Sequence, residues 1–154
     1  MRILRFLAAA SLGVGLAVTV LGSAGPAQAA YPACNDRTVE VWGVYERPGG
    51  TAGYKTNIPS SSGNIDCTLR SGAHNWSVVM LQIALNDCFN AGLEVDGQYG
   101  PRTRDVVTWF QAVKGITADG VYGPQTRTLM LWGFRFPGTP VNERPFTCRY
   151  HWNP

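Results

Sequence analysis

The sequence predicts a mainly α protein, with a compact module of three short helices, a short N-terminal β arm and an extended C-terminal tail. Three observations predict it. A nine-residue segment occurs twice, apolar residues follow each copy at helical spacing, and a run of 14 residues without glycine or proline precedes the first copy.

The repeat organises the module. Asp96 to Arg104 recurs as Asp119 to Arg127, 23 residues later, with seven of nine positions identical, and Trp109 matches Trp132 at the same offset. Asp96-Gly97 and Asp119-Gly120 are turn signals: glycine accepts positive φ, and the aspartate side chain can bond nearby backbone N–H groups. Pro101 follows Gly100 and Pro124 follows Gly123. Proline suits the first helical position, where its missing N–H leaves no bond unmade. Thr103 and Thr126 then fall in the first turn. Val106, Val107, Phe110 and Val113 follow in the first copy, Leu129 and Met130 in the second. Each copy therefore reads as a tight turn that launches a helix, with Gly115 and Gly133 expected to end them.

A third helix is expected upstream, from Trp76 to about Phe89, with Val78, Leu81, Leu85 and Cys88 or Phe89 along one stripe. Asn75 or Ser77 is placed to cap it, and Gly92 to stop it. Three such helices make a core of about 65 residues, marginal alone and suited to disulfide support. Before them, Thr38 to Tyr45 alternates like a strand, Pro48-Gly49-Gly50 reads as a turn, and Tyr54 to Ile58 as a second strand. After them, Phe134 to Pro154 holds four prolines and is expected to be mostly extended. The resulting division is a leader at 1–29, an arm at 30–66, the module at 67–135 and a tail at 136–154.

The leader has Arg2 and Arg5, then an uncharged apolar run from Phe6 to Leu21, then Ser23, Gly25 and Pro26 ahead of Ala27-Gln28-Ala29. That order is the pattern of a cleaved secretory signal, and about 16 apolar residues fall short of the roughly 20 that span a bilayer. No lipid-attachment motif precedes Cys34, since Tyr31-Pro32-Ala33 stands there. The expectation is an exported chain without stable membrane association. Of 13 basic residues, two leave with the leader, and the remaining 11 stand against 10 acidic ones, for a net charge of +1. Such a balance gives nucleic acid no electrostatic hold.

Cys34, Cys67, Cys88 and Cys148 all lie beyond the leader. An even count in an exported chain reads as two disulfides, and without any C-x-x-C spacing no metal site is expected. Three pairings are open. A helix of about 15 residues holds its ends roughly 20 Å apart. Cys67, ahead of the first helix, is then awkwardly far from Cys88 in its last turn. Cys34–Cys67 with Cys88–Cys148 is the preferred pairing.

Catalytic patterns are scarce. His74 and His151 are separated by most of the module, and H-E-x-x-H, H-x-H and G-x-S-x-G do not occur. Glu40 and Glu46 could form a carboxylate pair, but one strand and turn offers no cleft around them. Asp96 and Asp119 lack calcium-loop spacing, and their turn role suffices. No catalytic residue, cofactor or metal is expected.

At Val78-x-x-Leu81-Gln82-x-x-Leu85, Gly92 and Val95-Asp96-Gly97-x-Tyr99-Gly100-Pro101-x-Thr103, the chain resembles the first half of the peptidoglycan-binding domain type 1 family. Val106-Val107-x-x-Phe110-Gln111, Gly115-Ile116 and Asp119-Gly120-Val121-Tyr122-Gly123-Pro124-x-Thr126, closing at Met130, resemble its second half. The resemblance spans residues 70 to 133, with Met130 where leucine is usual and Cys88 as an added thiol. It implies a three-helix fold, a wall-anchoring role, and a peptidoglycan partner, with a cell-wall hydrolase as a further one. It places Tyr99 and Tyr122 facing the core. Gln82 and Gln111 are expected as buried amides bonding the turns. Near the turns, Gln98, Arg102, Trp109, Gln125 and Trp132 are the candidate ligand residues: arginine for stem-peptide carboxylates, tryptophan for glycan rings. The expected function is noncatalytic wall binding. The alternatives are a minimal wall hydrolase using the arm, or a wall-addressed inhibitor or partner of a hydrolase.

Overall fold

In a computed structural model of the chain, the described residues are 31–35, 37–47, 50–140, 143–145 and 147–151. The expected leader lies outside them, as do Pro48 and Gly49 of the expected turn. The alternating arm forms a hairpin longer than its pattern suggests. Strands β1 (Arg37–Arg47) and β2 (Gly50–Ser60) pair antiparallel, from Arg37 opposite Ser60 to Arg47 opposite Gly50. Alternation divides the faces: Tyr54, Thr56 and Ile58 are buried, whereas Glu40, Trp42 and Val44 are exposed.

Helix α1 (Trp76–Phe89) begins at Asn75, whose side chain accepts a 3.1 Å bond from the Val78 N–H. It ends at Asn90, which adopts the left-handed conformation at φ 53°, two residues ahead of the expected stop at Gly92. Helix α2 (Pro101–Val113) starts with proline in its first turn. It closes through Gly115, with bonds from Gly115 N–H to Ala112 and from Ile116 N–H to Gln111. Helix α3 (Pro124–Leu129) is only six residues long. Met130 is already extended, so Gly133 does not end this helix. It lies instead within strand β3 (Trp132–Phe134), which pairs antiparallel with β4 (Thr147–Arg149). Met130 and the whole of Trp132 to Arg135 are buried, as a short strand covered on both faces is.

The mainly α expectation is therefore wrong. Among the described residues, helices of 14, 13 and 6 residues stand beside strands of 11, 11, 3 and 3, in two antiparallel sheets. The physical reason is that strands of the arm, and β3 beyond the short third helix, contribute to the core beside the helices. Cys34, Tyr54 and Ile58 from the arm, and Trp132 and Phe134 from β3, join Val78, Leu81, Leu85, Val107 and Phe110 in one buried cluster. Lys55 and Arg135 exchange both backbone bonds, at 2.7 and 2.8 Å, which stitches the hairpin to the end of β3. Tyr54 meets Phe134 edge to face at 5.2 Å. Buried Arg135 pairs with Asp87 of α1. Disulfides join Cys34 to Cys67 and Cys88 to Cys148, the pairing preferred on helix length.

Candidate functional site

The two repeated turns are built alike, bond for bond. Gln82 on α1 is buried, and its Nε2 faces Asp96 Oδ1 at 2.8 Å, the Gln98 carbonyl at 3.1 Å and Thr103 Oγ1 at 3.3 Å. Its Oε1 accepts the Gly97 N–H at 2.9 Å. Gln111 on α2 does the same for Asp119, Val121, Thr126 and Gly120, at 2.9, 3.0, 3.1 and 2.8 Å. Asp96 and Asp119 also accept backbone bonds from Gln98 and Val121. The bond from Gln82, then that from Gln98, holds the Asp96 carboxyl below its ordinary value. Tyr99 and Tyr122 are buried, and the Tyr99 hydroxyl donates to the Gly120 carbonyl at 3.0 Å, tying one turn to the other. Burial pushes both phenols up. These residues bond one another and so hold the two turns together.

The glycines test that construction. Gly97 and Gly120 sit at φ 74° and 68°. A Cβ on Gly120 would fall 2.7 Å from Arg104 Cγ and Thr108 Oγ1, whereas one on Gly97 would meet Val79 Cγ2 at 3.1 Å. Gly97→Val and Gly120→Val should each destabilise by about 1–3 kcal/mol, the second more than the first. Urea unfolding checks this, and unchanged midpoints for both would remove these turns from the architecture.

Beside the turns, α2 offers an open face. Arg102, Asp105, Val106 and Trp109 recur at helical spacing and look across to Phe89, Asn90 and Ala91 at the end of α1. The groove between them encloses about 530 Å³. Phe89 packs edge-on against buried Phe110 at 5.0 Å, which fixes the wall on the α1 side. Trp109 is 53% exposed, so its ring is available to a ligand. Arg104 binds Asp105 at 2.8 Å. Arg102 also borders a second concavity, lined by Leu93, Glu94, Asp96 and Gln98. Three of the five candidate ligand residues thus line these two concavities: Trp109 the first, Gln98 the second and Arg102 both.

The other two do not. Gln125 is exposed on the first turn of α3 and lines neither concavity. Trp132 is a correction: it is fully buried in β3, edge-on to Tyr122 at 6.3 Å, so it cannot meet a polymer. The match to Trp109 at an offset of 23 misleads because α3 ends after six residues, and the second tryptophan falls on a strand. Val113, expected on the core stripe of α2, is 64% exposed. Asp105 and the Phe89–Ala91 segment were not singled out, although the spacing of 102, 105, 106 and 109 marks a helical face.

Elsewhere, Glu40 pairs with Lys55 at 2.5 Å on the open face of the hairpin, and the Glu46 side chain lies outside the described residues. Arg127 reaches Asp66 Oδ1 and His151 Nε2, both at 2.6 Å, and so fastens the tail to α3. Burial, and then the Arg127 charge, hold His151 down at about 4, which leaves it neutral near pH 7.

Residues 76–130, from the start of α1 to the residue after α3, match the family described as "Putative peptidoglycan binding domain". This segment, about a third of the chain, is what is similar to that family. The chain is also similar to a crystal structure of a peptidoglycan-binding protein from Clostridioides difficile in complex with glutamine hydroxamate. Identity is 25% over 55% of this chain and 53% of that one, with a TM-score of 0.41. The chain spans about half the length of that protein. No curated protein matches it.

Proposed function

We propose that this protein is exported through a cleaved leader at 1–29 and binds peptidoglycan without cleaving it, using the groove between α2 and the end of α1. The observation that carries this reading is the open face of Arg102, Asp105 and Trp109 within the segment that matches the wall-binding family. The chemistry fits the polymer. A guanidinium suits the carboxylates of a stem peptide, the Asp105 carboxylate and the Asn90 amide suit its amides and amines, and an exposed indole suits a sugar face. In this reading residues 67–135 are the binder, with the arm at 30–66 adding to its core and the tail at 136–154 tied to it through Cys148. A shallow groove buries little area, so affinity for one repeat unit is modest.

Residues 30–154 should co-sediment with isolated sacculi and release neither soluble muropeptides nor reducing sugar. Arg102→Ala combined with Trp109→Ala should weaken sedimentation about tenfold with an unchanged thermal transition, since both side chains are exposed. Full sedimentation by the double variant would move the site away from α2. Sustained release of muropeptides by the pure chain would end the noncatalytic reading.

A further inference from the structure

The outward face of the hairpin carries a second surface, remote in sequence from the segment that matches the wall-binding family. Register sets Trp42 directly opposite Lys55 and Glu40 opposite Asn57, so these four side chains share one face of the sheet. Trp42 is 58% exposed. Its six-membered ring lies against Gly53, with Cε3 and Cζ3 each 3.9 Å from where a Cβ would stand. Because position 53 has no side chain, the indole comes close to the strand there, and more than half of the residue stays exposed. Lys55 Nζ lies over the ring, 5.4 Å from its centroid, and bonds Glu40 Oε1 at 2.5 Å, which holds the ammonium in place. The core makes no use of this arrangement, because β2 packs inward through Tyr54, Thr56 and Ile58.

The chemistry selects a ligand class. A flat π face bordered by donors and acceptors suits a ring with apolar C–H faces and an equatorial rim of hydroxyl and amide groups. Glu40 and Lys55 cancel one another's charge, so an anionic or cationic ligand gains nothing that a neutral one does not. We infer that Trp42, flanked by Glu40 and Lys55, is a saccharide-stacking platform for a neutral N-acetylated glycan strand. The choice of an N-acetylated glycan rests on the wall-binding reading, whereas the platform itself rests on the hairpin alone. With the α2 groove it gives one chain two contacts on one polymer, and linked contacts raise avidity without a second module.

The probe is chitotetraose, a β-1,4-linked N-acetylglucosamine oligomer without stem peptide, titrated into the exported chain by calorimetry and by saturation-transfer NMR. Wild type should bind it. Trp42→Ala should weaken binding about tenfold, Trp42→Tyr should keep most of it, and Val113→Ala, at an exposed position outside the groove, should change it less than twofold. Trp42→Tyr and Lys55→Gln keep the test decisive if the alanine variant folds poorly, because loss of an aromatic face and loss of the flanking ion pair are then read separately. Equal binding by Trp42→Ala, or none by wild type, overturns the platform. A dimer in wild type that Trp42→Ala converts to monomer overturns it too, by making the face a contact between copies. Sacculus binding without tetraose binding removes the platform and leaves the groove standing. Trp42-dependent tetraose binding with sacculus sedimentation indifferent to Arg102 and Trp109 supports the platform and removes the groove.

Discussion

Reduction of both disulfides should abolish the cooperative unfolding transition of this protein at 37 °C. Cys34–Cys67 closes a loop of 33 residues and Cys88–Cys148 one of 60. By the loop-entropy relation each restricts the unfolded chain by about 4 kcal/mol at 25 °C. Small domains have about 5–15 kcal/mol in total, so losing both removes most of what holds this one folded. The two bonds should not go together. Cys34 and Cys67 are buried, at 3% and 0% exposure, whereas Cys88 and Cys148 are each only partly covered. Alkylation and mass spectrometry over a reductant titration should find Cys88 and Cys148 modified first. Circular dichroism should show a first loss of stability at that step and collapse at the second. A fully reduced chain that melts within about 2 °C of the oxidised one would show that the core needs neither bond.

Much of the module was legible because its signals are local. Asn75 caps α1, Pro101 and Pro124 start α2 and α3, and Asp-Gly pairs mark both turns, so residue chemistry within a few positions specifies each feature. Burial of Gln82 and Gln111 was legible too, since a turn with inward N–H groups calls for an amide partner. The outer segments were legible only in part. The hairpin reaches 11 residues a strand, and β3–β4 pairs positions some 15 residues apart around a proline-containing connection. Alternation and the Pro48-Gly49-Gly50 turn marked the two strands of the arm, but their full length and the β3–β4 pairing depend on packing against α1 that only the folded chain supplies. The site divides in the same way. Arg102 and Trp109 lie on one helix and could be paired from spacing, whereas the facing wall at Phe89–Ala91 comes from another helix. Trp132 was misplaced because a sequence repeat was extended one turn beyond its structural repeat.

The remaining large effect concerns the two glutamines. Gln82→Leu and Gln111→Leu should each destabilise by about 2–4 kcal/mol, although leucine is close to glutamine in volume and more apolar. Both amides are buried, at 1% and 2% exposure, so transfer of apolar surface favours the substitution. What outweighs it is the backbone left behind. Gly97 and Gly120 are buried, and each donates its N–H to the glutamine Oε1. A leucine there leaves that donor without an acceptor inside the protein, at about 1–3 kcal/mol. It also frees the Asp96 or Asp119 carboxylate and the threonine hydroxyl that shared the amide hydrogens. The two hubs are not independent, because Tyr99 carries a bond from the first turn to the Gly120 carbonyl of the second. Once one turn has slackened, part of that bond is already lost. The double variant should therefore cost less than the sum of the singles, with a coupling of at least about 0.5 kcal/mol. Chemical denaturation of the four proteins in the cycle measures both quantities. Single costs below about 1 kcal/mol would mean that water replaces the amides and that the turns stand without them.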